Sequence, residues 1–406
     1  MVLCLAAAGA LMGQENVPMN KQPPTSAPAS ATGTAPAEWV VKDTIALKGL
    51  KVSLSRPVLV ARRADYLWFP TLVRLANGDL MVQMSAYADA HVQTTSSMLS
   101  WSTDGGLTWS PPVKASYGEC PVTLASGDLM LMPYYLFPKE GGLMGAPYQV
   151  CPKGRREVKL VKEGVTVSGW PRPDKSLAPE LGLAGFVFNG QSVPLKDGKY
   201  LATLYGYFKG DSRYSLVAAE SADAVSWKVR STIAGADCKL AGGEGPCESA
   251  VARLKDGRLM CVFRLGGVPY GQSYSQDEGK TWTEPVAMRG PHAVQPSLAV
   301  MKDGTIALSG GRPGLFLWLD ADADGRQWQE IDMGRHHNAC VEERITRPDH
   351  TSSYTEVVAL DESHLLYIYD RIPHGWAPIP KGSTDTNSVW VVRITLEKDR
   401  LAKGTQ

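Results

Sequence analysis

Ala250-Val251-Ala252-Arg253-Leu254-Lys255-Asp256-Gly257-Arg258-Leu259-Met260-Cys261-Val262-Phe263 is the stretch whose reading decides the fold. An apolar run ends in Leu254, a two-residue polar turn leads into Gly257, and a second apolar run follows. Asp-Gly supplies the positive φ that a tight hairpin turn requires, so the stretch reads as two antiparallel strands joined locally.

The same phrase occurs six times. The other copies are TLVRLANGDLMVQM around Gly78, PVTLASGDLMLMP around Gly127, SVPLKDGKYLATL around Gly198, SLAVMKDGTIALSG around Gly304, and EVVALDESHLLYIY, where Ser363 stands at the glycine position. From residue 78 through 127, 198, 257, 304 and 363 the successive spacings are 49, 71, 59, 47 and 59 residues. Each interval is long enough for one four-stranded sheet with loops of variable length, so the expectation is an all-β, six-bladed β-propeller of four-stranded antiparallel sheets. Lys51 to Ala61 and Ser388 to Thr395 are strand-like and flank the six hairpins, so one is expected to complete the sheet begun by the other and remove an exposed edge.

Ser102-Thr103-Asp104-Gly105-Gly106-Leu107-Thr108-Trp109 and Ser275-Gln276-Asp277-Glu278-Gly279-Lys280-Thr281-Trp282 share the pattern S-x-D-x-G-x-T-W, with weaker echoes at 221–227 and 322–328. The aspartate is expected to accept hydrogen bonds from the turn, glycine to permit a left-handed conformation and tryptophan to pack between sheets, which makes these residues structural. The pattern resembles the Asp-box of the sialidase superfamily, and the resemblance extends from about Leu47 to Thr395.

Composition narrows the remaining choices. With 42 basic and 41 acidic residues and a net charge of +1, the chain has no overall field for a polyanion, and a nucleic-acid partner is disfavoured. Residues 1–13, MVLCLAAAGALMG, resemble the apolar part of a secretory signal and are too short to span a bilayer. Residues 14–45 read as a Pro/Ala/Ser/Thr-rich linker, and 46–400 as the propeller. A secreted, periplasmic or cell-surface location follows as an expectation. Apart from Cys4, six cysteines remain, which permit 15 full pairings; buried free thiols are equally open. No Cys/His spacing suggests a metal site, and no motif implies a cofactor.

The resemblance implies a glycan substrate and an exo-acting retaining glycosidase, most specifically a sialidase that releases a terminal sialic acid. In that family a tyrosine attacks the anomeric carbon, activated by a glutamate from another blade. Tyr354, just before the sixth hairpin, is similar to the family tyrosine, and Glu248, just before the fourth, to its partner. Arg264 and Arg312 resemble two members of the arginine triad that holds the substrate carboxylate. Where the first arginine belongs, the chain has Trp68; Arg62 or Arg63 could substitute from upstream, or Trp68 could stack on a sugar face. Asp89 on the loop after the first hairpin is the expected general acid, with His91 beside it as the other candidate. His337, in the pair His336-His337, and Arg371 are candidates for contacting substrate hydroxyls or lining the mouth. The missing arginine keeps two other readings in play: another carbohydrate-active propeller, either a different exo-glycosidase or a polysaccharide lyase, and a noncatalytic glycan-binding propeller.

Overall fold

The computed structural model describes residues 38–89, 96–139, 144–171, 186–292 and 294–398. The signal-like segment and most of the expected linker lie outside these residues, as does His91.

All six hairpins form. Their paired strands are Trp68–Arg74 with Leu80–Ser85, Glu119–Thr123 with Leu129–Met132, and Val187–Pro194 with Tyr200–Gly206. The other three are Ser249–Arg253 with Leu259–Phe263, Val294–Val300 with Ile306–Gly311, and Thr355–Ala359 with His364–Arg371. The five turns that carry glycine close in one way, and the sixth, with Ser363, keeps only the outer bond from Leu360 N to His364 O at 2.9 Å. In the fourth, Leu254 N donates to Arg258 O at 2.8 Å and Gly257 N to Leu254 O at 2.9 Å. Only the glycine of the phrase is left-handed, with φ of 92° at Gly257, so the connection is a three-residue loop with a bulge rather than a two-residue mirror-image turn.

The strands assemble into five hydrogen-bonded sheets of four, nine, four, four and six strands. Six separate four-stranded sheets were expected, and the difference has two local causes. Residues Thr166–Ser168 pair in parallel with Ser226–Lys228, which joins two antiparallel groups into the nine-stranded sheet. The six-stranded sheet gathers both chain ends around Asn387–Lys398. One half of that strand pairs with Leu50–Ser55 and the other with Val58–Arg63, and Val41–Leu47, which begins inside the stretch expected to be linker, adds a further strand.

The S-x-D turns are built alike. Asp104 accepts from Ser102 Oγ at 2.8 Å and from Thr108 N at 2.9 Å; Asp277 accepts from Ser275 Oγ and Thr281 N, both at 2.9 Å. The indole N–H of Trp109 returns to Gly106 O, and that of Trp227 to Ala224 O. These carboxylates satisfy their own turns.

Apolar clusters sit between neighbouring sheets. Ala250, Met260, Val262 and Tyr270 pack against Leu298, Leu308 and Trp318 of the next sheet. All six described cysteines carry free thiols. Beside the strands the described residues hold one α-helix, Met333–Cys340, capped by Asp332, and none long and apolar enough to cross a membrane.

Candidate functional site

The first strand of each hairpin lines the middle of the molecule, and the residues just before or at its start meet there. Trp68 and Glu119 hold equivalent places. Each precedes a left-handed residue, Phe69 or Cys120, both at φ 46°, and then a proline, Pro70 or Pro121. The register of both hairpins shifts at that point. Such a bulge turns one side chain out of the ladder and aims it along the strand end.

Tyr354 and Glu248 come together there across 106 residues of sequence: the Tyr354 hydroxyl donates to Glu248 Oε1. Arg264 Nη1 donates to Glu248 Oε2 at 2.9 Å and to the Tyr354 oxygen at 3.3 Å, while its Nη2 donates to Glu244 Oε1 at 2.8 Å. The backbone N–H of Gln295 adds a further bond to Glu248 Oε2 at 2.9 Å. Burial alone would raise the Glu248 pKa, but Arg264, the Tyr354 hydroxyl and the Gln295 amide outweigh it, and the carboxyl is held below its ordinary value. Burial pushes the Tyr354 phenol well above its ordinary value and the charge of Glu248 adds to the rise, although Arg264 and Arg312 pull it down. The resting pair is therefore carboxylate and phenol, poised for one proton transfer.

Arg312, itself left-handed at φ 83°, donates through Nη2 to Ser352 O at 2.8 Å. Its guanidinium lies 5.4 Å from the Tyr354 ring centre and 5.0 Å from that of Trp376. Phe69 meets Tyr354 edge-on at 4.8 Å and Trp376 at 5.5 Å. Trp376 is 38 % exposed and gives the site an aromatic rim.

Below the turn, Asp370 is fully buried and accepts from Phe69 N at 3.0 Å, Thr351 Oγ1 at 2.9 Å, Ser352 N at 2.8 Å and the Ser352 hydroxyl. It fixes the backbone two residues ahead of Tyr354.

A second tyrosine–glutamate couple stands at the start of another inner strand, Glu119–Thr123, where Tyr117 donates its hydroxyl to Glu119. Burial pushes the Glu119 carboxyl up to about 7; the Tyr117 bond pulls the other way, and the charge of Glu248 adds to the rise. Tyrosines link the two couples: Tyr117 packs against Tyr134 at 6.1 Å, and the Tyr134 hydroxyl meets that of Tyr205 at 2.8 Å. Glu356, two residues past Tyr354, is buried, accepts from Leu72 N and is pushed well above the ordinary carboxylate range by burial.

The structure thus brings together four of the residues singled out in the sequence: Tyr354, Glu248, Arg264 and Arg312. Three others are placed elsewhere. Trp68 is 1 % exposed, bonded through Nε1 to Tyr87 O at 2.9 Å and covered by Tyr66, Phe69 and Trp376, so no sugar can stack on it. His337 is fully buried in the helix with both ring nitrogens engaged, by Tyr369 Oη at 2.7 Å and Glu343 O at 2.8 Å, and burial lowers its pKa to about 4. Arg371 donates to the carbonyls of Arg344 and Thr386 beside Glu343. Neither upstream arginine replaces the missing one, because Arg62 pairs with Glu343 at 3.0 Å and Arg63 with Asp65 at 3.1 Å. Asp89 is exposed, with Tyr87 and Tyr135 within reach of its charge.

Glu119 and Glu244 were missed in the sequence. The repeated X-X-Pro step before the first two hairpins is the signal that could have found Glu119; Glu244, in a Gly-rich loop, carries none. A cavity of about 550 Å³ lined by Leu72, Pro121, Ser192, Tyr200, Leu298 and Val357 holds none of the site residues.

No family model matches the chain, and no curated protein does. Solved structures do. A protein of unknown function from Dyadobacter fermentans is 17% identical with a TM-score of 0.64, over 86% of this chain and 100% of that one. The NanB sialidase of Streptococcus pneumoniae is 16% identical with a TM-score of 0.53, over 84% and 70%. The GH93 α-L-arabinofuranosidase of Fusarium graminearum, in complex with arabinobiose, is 18% identical with a TM-score of 0.55, over 83% and 97%. At these identities the likeness carries the fold: an all-β chain of many antiparallel sheets, similar to the sialidase and arabinanase propellers.

Proposed function

We propose that the chain is an exo-acting, retaining glycoside hydrolase, a six-bladed propeller that works on glycans outside the cytoplasm. The observation that carries this reading is the contact between Tyr354 and Glu248, bridged by Arg264. A phenol bonded to an ionised, buried carboxylate is a nucleophile with its base in place. Counting the two antiparallel halves of the nine-stranded sheet separately supports six blades, one per hairpin.

In the first step the Tyr354 oxygen bonds to the anomeric carbon, its proton passes to Glu248, and the bond to the leaving oxygen breaks. The leaving oxygen needs a proton. Glu119 is the donor this reading favours over the exposed Asp89, because burial keeps its carboxyl protonated to near neutral pH. In the second step water attacks the same carbon, the bond to Tyr354 breaks, Glu248 returns the proton to the phenol, and the proton of the water goes back to Glu119. Two displacements retain the anomeric configuration.

Release of sialic acid, the narrower form implied by the sequence resemblance, needs a carboxylate clamp, and the two arginines beside Tyr354 are Arg312 and Arg264, the second already paired with Glu248 and Glu244. The test is turnover of a panel of aryl glycosides, sialosides and neutral glycosides together, by wild type and Tyr354→Phe, with intact-mass detection of a glycosyl group on Tyr354. Turnover by wild type alone, with a trapped adduct, supports the reading. Equal turnover by the variant, or none by wild type across the panel, removes it.

A further inference from the structure

We infer that the site selects a terminal sugar without a carboxylate, an uncharged glycosyl group, and that Glu244 enforces the choice by occupying Arg264. The inference rests on the preceding reading only for the place where the sugar sits.

The argument is a count of charges and free donors. A planar guanidinium holds a carboxylate well when two of its N–H groups face it together. Arg264 has no open pair to offer: both N–H groups of Nη1 serve Glu248 and Tyr354, one of Nη2 serves Glu244, and Nε, which has no partner of its own, is wholly buried, so the second Nη2 N–H stands alone. The Arg264 side chain is also only 15% exposed. An incoming carboxylate must displace Glu244, which is 42% exposed at the mouth, and would then lie against Glu248. Like charges at that distance repel strongly in a partly dry site.

The rest of the cleft is no more welcoming to an anion. Trp68 stands buried where an arginine would have met it, and Arg62 and Arg63 pair with other carboxylates. Glu119 sits close enough to Glu248 to feel its charge. Among the described residues Arg312 is the one cation beside Tyr354 that forms no ion pair, and it already donates to Ser352 O. What the cleft does present is a set that reads a neutral sugar: the half-buried phenols of Tyr117 and Tyr134, the exposed carboxylate of Glu244 and the exposed ring of Trp376, with Glu119 and Tyr205 buried behind the two phenols as their hydrogen-bond partners.

The test is a glycan array carrying uncharged, uronate and sialic acid termini, probed at pH 7 with wild type and with Tyr354→Phe, which keeps the fold and stops turnover. Signal confined to uncharged termini is the expected result. Signal concentrated on acidic termini, or no signal on any terminus, overturns the inference. Glu244→Gln is the second arm. Freeing Arg264 should raise affinity for acidic relative to neutral termini by roughly tenfold, the scale of one partly buried charge pair, and an unchanged ratio overturns the role given to Glu244. Turnover is read separately. Neutral glycans that bind but are never cleaved by wild type remove the hydrolase reading and leave the selectivity standing; sialosides that are cleaved keep the hydrolase and overturn the selectivity.

Discussion

The amide of Phe69 donates to the Asp370 carboxylate at 3.0 Å, joining residues 301 apart in sequence at the floor of the cleft. Asp370 also holds Thr351 and Ser352, so one buried carboxylate sets the backbone on both sides of the aromatic contact between Phe69 and Tyr354. Asp370→Asn keeps the size but cannot accept all four bonds. We expect it to cost roughly 2–4 kcal/mol of stability, read by urea unfolding, and to lower kcat more than it raises KM.

Tyr354→Phe and Glu248→Gln should each lower kcat/KM by roughly 10²–10⁴-fold, the usual worth of positioned proton transfer or more, with unchanged circular dichroism. The pH profile of wild type should be bell-shaped. Its acidic limb belongs to Glu248, which is held below the ordinary carboxylate value, and its basic limb to Glu119 near 7. Loss of the basic limb in Glu119→Gln, with activity on good leaving groups kept better than on poor ones, identifies the proton donor; a basic limb that persists assigns it elsewhere.

Glu119 also makes stability depend on pH. Its folded pKa of about 7 lies above the ordinary 4.5, so the folded state binds the proton more tightly, and stability is greatest below the unfolded value and falls as pH rises from there through 7. The loss is about 3 kcal/mol at most. Glu356, also raised, acts in the same direction. Urea denaturation at pH 5 and pH 9 should show a smaller difference for Glu119→Gln than for wild type; an equal difference removes the assignment.

Trp376→Ala should raise KM several-fold, up to about tenfold for the loss of one stacked ring, while Tm hardly moves, because the ring is 38 % exposed. A large fall in Tm with little change in KM would mean that covering Trp68 and Phe69 is the whole work of Trp376, not stacking on sugar.

The hairpins were legible because each is closed by contacts within five residues, as Leu254 to Arg258 shows. Tyr354, Glu248, Arg264 and Arg312 were legible for a related reason: Tyr354 and Glu248 stand just before the first strand of a hairpin and Arg264 and Arg312 just after the second, and both places lie at the same end of the hairpin. Trp68 obeys the same rule, yet its indole turns under Trp376, a matter of packing between segments remote in sequence. His337 looked available as a polar residue in a rare His-His pair, but a helix buries it against Tyr369. Glu244 gains its meaning only from Arg264, and the parallel pairing of Thr166–Ser168 with Ser226–Lys228 has no local signature at all.

The strand Asn387–Lys398 lies between Leu50–Ser55 and Val58–Arg63 on one side and His364–Arg371 on the other. During synthesis, then, the earliest strands wait on the ribosome for the last one to emerge, with their hydrogen-bonding edges unfilled. Tyr354 belongs to the sheet finished by that event, and its base Glu248 to one completed long before. The contact between Tyr354 and Glu248 therefore joins a sheet that needs the last strand to one that does not, and under the proposed reading a chain lacking Asn387–Lys398 carries both groups without the sheet that holds them together.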